Sequence, residues 1–239
     1  MKLSYFKKKK FRMEIVKKVK TSLGVFLLVV ATFTVHVSAA GTVVGNESIK
    51  DTAEFKYEQQ LAIEKQIKLE ELIKGKKGSF VDPKSSLRSD GIFSTSSTGT
   101  YPTRYGVILV TTDGVSSGIG TGHAGIIWTS TTTVESFPNG GVQTKPNDWN
   151  TRYKSVYGVT TRGTTASQDN EASNWCRAKV SLPYNWNFWN TSIRSSFYCS
   201  HLVWAAFKDL YGINTDDDGG IVWPVDLVNS NNTYIVYSK

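Results

Sequence analysis

Residues 198–210 constrain this chain most. Leu202, Val203, Trp204, Ala205, Ala206 and Phe207 follow one another without a polar break, and Gly212 supplies a helix stop. A helix that is apolar nearly all round has to be buried, so the rest of the chain must be arranged to cover it. Most of the remaining signals are β-type. Residues 105–111 are an apolar β-rich run, 114–122 a Gly and Ser loop, 123–128 and 133–137 the arms of a hairpin, and 156–161 and 233–237 further strands. Between them, residues 166–180 switch to helical spacing, with Ala172, Trp175, Cys176 and Lys179 on one stripe and Pro183 beyond the end. Pro224 opens a short helical turn through Leu227. Strands mixed with two helices, without regular βαβ alternation, make residues 103–239 a single α+β domain.

Ahead of that domain the chain changes character twice. The net charge is +8, yet residues 1–40 alone carry nine Lys and Arg against one Glu, so the remainder is neutral. A neutral domain without a basic stripe does not suit nucleic acid. The basic stretch, the apolar run 23–35 and the small residues Ser38, Ala39 and Ala40 have the three parts of a secretory signal. Thirteen apolar residues are too few to span a bilayer, which takes about 20, so cleavage is expected and no stable membrane span thereafter. The long basic leader is Gram-positive in style. Residues 41–102 combine a charged helix, 47–74, with a linker rich in Ser, Thr and Gly. Leu61, Ile63, Ile67, Leu69, Leu72 and Ile73 give that helix only a thin apolar face. Composition favours a solvated spacer; the alternative is a pro-segment that covers a cleft.

The candidate chemistry rests on scarce residue types. There are three histidines; His36 falls in the signal, and His201 lies about 200° around the helix from Cys199. His123 is left as the candidate base. Cys199 stands at the first turn of the buried helix, where free amide groups and the helix dipole favour a thiolate and where the Ser200 N–H can meet a developing oxyanion. Cys176 lies mid-helix with no such activation and reads as structural, and a disulfide between the two stays open. Glu135 is the sole carboxylate of the hairpin, within diagonal reach of His123, and can orient the imidazole. No His, Cys or carboxylate set has metal-ligand spacing: Asp216, Asp217, Asp218 and Gly219 lack the closing Glu of a calcium loop and read as polar loop.

Gly122-His123-Ala124-Gly125-Ile126, Val134-Glu135-Ser136, Pro183-Tyr184-Asn185-Trp186 and the stretch from Tyr198 to Trp204, in that order, resemble the YiiX-like permuted papain-fold amidases of the NlpC superfamily over residues 103–237. The resemblance implies a circularly permuted papain-like fold, with an antiparallel sheet packed on the buried helix that carries the cysteine. It also implies a Cys199 nucleophile, a His123 base, a Glu135 orienting group and no cofactor. Tyr184 and Tyr198 are candidates for tyrosine assistance at the oxyanion. One departure is His201, where the family usually has an acidic or amide residue. The expected function is an exported thiol hydrolase of peptide or cell-wall amide bonds. A lipid acyltransferase or thioesterase on the same fold and a non-catalytic wall-binding module are the alternatives.

Overall fold

A computed structural model describes residues 49–75, 80, 82–84, 99–114 and 117–239, all within one compact unit, Asn46–Lys239. The signal expected at 1–40 and residues 85–98 of the expected linker lie outside the described residues. A 3-10 turn, Ile49–Asp51, leads into helix α1, Ala53–Gly75. Strands β1, Ile108–Thr111, β2, His123–Thr129, β3, Thr132–Phe137, and β4, Gly141–Pro146, follow. A four-residue helix α2, Trp149–Arg152, precedes strand β5, Tyr157–Thr161. The chain continues through α3, Ala166–Arg177, α4, Cys199–Tyr211, and the short α5, Asp226–Asn229, to strand β6, Thr233–Ser238. No helix among the described residues is long and apolar enough to cross a membrane.

The six strands form one antiparallel sheet in the order β4-β3-β2-β1-β5-β6. The expected α+β arrangement is present, with α4 seated on the sheet. Residues 199–203 and 205–207 of that helix are buried, as an all-round apolar helix requires. Thr165 and Gln168 close a reciprocal capping box that starts α3, which packs beside α4 and puts Cys176 in the core. Two elements were absent from the sequence expectation, β4 and α2. β4 is buried at its first two residues and then alternates half-buried and exposed, and α2 is too short to show a period.

Helix α1 is not the solvated spacer that its composition suggests. Phe55, Ala62 and Leu69, spaced by seven, are buried together with Gln66, while Ile67 and Leu72 stay about half exposed. The Phe55 ring lies 5.4 Å from both Phe188 and Trp223. Burying one such side chain contributes roughly 2 kcal/mol, so a stripe of three holds α1 far less firmly than the sheet is held.

Candidate active site

The site is built where β2, β3 and the start of α4 meet. His123 opens β2, and Gly122 before it sits at φ +88 with its Cα so close to the Thr111 carbonyl of β1 that no side chain fits. The hairpin pairs Glu135 with Gly125, two residues beyond His123, so the acid reaches the imidazole on the diagonal. Gly125 makes the reach possible: a Cβ there would lie 2.8 Å from Glu135 Cγ and 3.0 Å from the Trp149 ring.

His123, Glu135 and Cys199 are fully buried. His123 Nε2–H donates to Glu135 Oε2 at 2.9 Å, which leaves Nδ1 for the thiol. No group closes a regular hydrogen bond to Nδ1, yet Cys199 is near enough to govern how the ring titrates. Burial alone would lower the pKa of His123; the interactions with Cys199 and Glu135 outweigh it and raise it to about 9. Phe137 at 4.3 Å and Trp149 at 5.4 Å hold the ring in place from two sides.

Glu135 is the most heavily bonded group of the site. Trp149 Nε1–H donates to Oε1 at 2.9 Å, Arg152 Nη2 to Oε1 at 2.8 Å, and the Thr133 hydroxyl to Oε1 at 2.5 Å. Burial pushes this carboxyl up, but hydrogen bonds and charge from His123 and Arg152 prevail and hold it at about 2. The Tyr101 hydroxyl accepts from the Trp149 backbone N–H at 3.0 Å and so fixes the start of α2. Sequence reasoning missed Trp149, Arg152 and Thr133. The only signal was an Arg four residues after Asp148, an ion pair that the structure makes at 2.9 Å.

Cys199 is the first residue of α4, and no side chain caps the amides of that turn. The Ser200 hydroxyl donates to the Val222 carbonyl at 2.6 Å. Tyr184 donates its hydroxyl to the Ser117 carbonyl at 2.6 Å, and Tyr198 bonds Phe188 O and the Val222 N–H. The structure thus engages all three hydroxyls with backbone groups. Cys176 and Cys199 are both free thiols. Cys176 lies against the Leu202 carbonyl, and burial pushes its thiol well up. His201 faces Thr191 and Arg194, away from the thiol, and burial together with Arg194 lowers it to about 4.

Among the described residues, Asp216, Asp218 and Asp226 have carboxylate oxygens within 4.8 Å of one another, close enough for a metal ion. In the structure it is Lys65 of α1 that sits among these acids, with Nζ 2.6 Å from Asp226 and 3.1 Å from Asp218.

An antiparallel sheet over a buried helix, with a cysteine at the helix start facing a carboxylate-held histidine that precedes it in sequence, defines the class of permuted papain-like proteins. Residues 111–219 match the family described as permuted papain-like amidase enzyme, YaeF/YiiX, C92 family. The uncharacterized protein YycO of Bacillus subtilis (strain 168) is 36% identical over 117 residues, 47% of this chain and 47% of that protein. The chain thus spans about half the length of the curated relative it matches. A solved structure, that of the metalloprotein yiiX from Escherichia coli O157:H7, is similar over 57% of this chain and 98% of its own, at 14% identity and a TM-score of 0.47.

Proposed function

We propose that this protein is an exported thiol hydrolase of amide bonds, with peptides of the cell wall as its substrates. The observation that carries the reading is His123 held between an ionised Glu135 and Cys199. With Nε2–H bonded to Glu135, Nδ1 takes the thiol proton and the sulfur attacks the substrate carbonyl. The tetrahedral oxyanion falls among the first-turn amides of α4, the Ser200 N–H included. The imidazolium then protonates the leaving amine as the C–N bond breaks, giving a thioester on Cys199. Water, deprotonated by Nδ1, attacks that thioester and releases the acid and the free thiol. Glu135 stays charged throughout and keeps the ring oriented.

An open groove runs past Phe137, whose ring packs on His123, between Gly118, Pro138, Gln143 and Lys145. The Lys145 ammonium on β4 suits a peptide that carries a carboxylate, as wall stem peptides do. Export rests on the signal expected at 1–40.

The test is acyl-enzyme trapping and product release on wall peptides. Cys199→Ala is expected to remove both, a loss of about a millionfold, in a protein that still folds. Cys176→Ala is expected to retain them. Equal damage from both changes in folded proteins would overturn the assignment of the nucleophile.

A further inference from the structure

Helix α1 touches both walls of the candidate site. On the cysteine side, Phe55 fills the space between Phe188 and Trp223. Phe188 stacks edge-on against Tyr198 at 5.3 Å, and Val222, beside Trp223, takes the Ser200 hydroxyl. Those partners flank Cys199 directly in sequence. On the histidine side, Gln66 Nε2 donates to the Thr121 carbonyl at 2.8 Å, two residues before His123. Gln59 lies so near Gly120 that a Cβ there would meet its Nε2 at 2.6 Å. Between these contacts Lys65 reaches Asp226 at 2.6 Å, Asp218 at 3.1 Å and Asp217 at 3.5 Å. Asp226 is fully buried and anchored from the other side by the Trp223 N–H at 2.8 Å.

The polar pins and the single aromatic are what hold α1 down, since its apolar stripe is thin. Meanwhile Cys199 and His123 have no solvent exposure, and a hydrolase needs its thiol open to a carbonyl. We propose that residues 49–75 are an occluding segment: docked, they bridge and close the cleft between the cysteine-bearing and histidine-bearing walls, and Lys65 is the latch that must leave Asp226 and Asp218 before substrate reaches Cys199. This rests on the reading of Cys199 and His123 as the active site. It makes the docked form a latent one, and opening is a local event, well short of unfolding the sheet.

The experiment is the rate of iodoacetamide alkylation of Cys199 in the full chain at one fixed pH, read by peptide mass spectrometry, with Cys176 as an internal monitor of global unfolding. The wild type is expected to label slowly at Cys199. Lys65→Ala and, separately, Phe55→Ser are expected to label it about tenfold faster or more while Cys176 stays protected, and Lys65→Arg is expected to keep the slow rate. Equal Cys199 rates in the wild type and both variants overturn the proposal. So does labelling of Cys199 and Cys176 that rises in step, because α1 would then be part of the fold and not a cover. Alkylation needs only an accessible thiol. If the variants open the site and still hydrolyse nothing, the hydrolase reading falls and the occlusion stands.

Discussion

Glu135 and Asp226 are both carboxylates without solvent exposure, and they end in opposite states. Glu135 has two cations against it, His123 and Arg152, and is held at about 2 in spite of burial. Asp226 is pushed up to about 7: burial dominates, and the charges of Asp218 and Asp216 offset part of what Lys65 supplies. Burial makes any charge costly, and the sign of the neighbours decides whether the charge survives. The anion beside the histidine is therefore permanent. The one beneath Lys65 is conditional, which suits a contact that has to let go.

The largest effect expected to separate the two is on turnover. Glu135→Gln should lower kcat by about ten-thousandfold, less than His123→Ala, whereas Asp226→Asn should not lower it; steady-state kinetics on one substrate compares them. A comparable fall in both would break the distinction. Next in size is stability. Arg152→Ala strands a buried carboxylate and should cost about 3 kcal/mol in urea unfolding, and it should move the acidic limb of the rate profile upward. Lys65→Ala should cost less, since Asp226 has only to take up a proton. Gly125→Ala should cost about 1–3 kcal/mol by overpacking, with a drop in turnover larger than its stability loss, because the new methyl meets Glu135 and Trp149 before anything else.

The smallest effect is on the pH dependence of stability, and its sign differs between the two acids. The folded-state pKa of Glu135 is below its ordinary value of 4.5, so its contribution is present above 4.5 and is lost as pH falls through about 2. The folded-state pKa of Asp226 is above its ordinary 3.8, so the folded form takes the proton first and stability rises as pH drops from about 7 towards 4. His123 behaves as a raised base: its contribution is whole below 6.5 and fades as pH climbs through about 9. Urea midpoints recorded between pH 9 and pH 4 should share the rise that His123 brings between about 9 and 6.5, and the further rise from about 7 towards 4 that Asp226 brings should be smaller in Asp226→Asn than in wild type.

These contrasts also show which parts of the molecule sequence can reveal. The Cys199 helix was legible because six successive apolar residues leave no other place for it, and His123 because so few histidines compete for the role. Glu135 followed from hairpin arithmetic, and its diagonal pairing across Gly125 is the one the structure makes. Arg152 and Trp149 were not legible: they sit on a single helical turn, which has no period, and reach Glu135 from a turn held by Tyr101 and by the Asp148–Arg152 pair. The docking of α1 was missed for another reason. Its anchors include two polar side chains, Lys65 and Gln66, which hydrophobic periodicity does not count, while it does count Ile67 and Leu72, which remain about half exposed.

Trp149 has a further use. Its indole lies nearly parallel to the His123 ring, 17° off at 5.4 Å, while its N–H is bonded to Glu135. An imidazolium against an indole quenches emission where a neutral imidazole does not, so the fluorescence difference between the wild type and Trp149→Phe, recorded across the titration, isolates one fluorophore from seven. The protein thereby carries its own optical gauge of whether its histidine holds a proton.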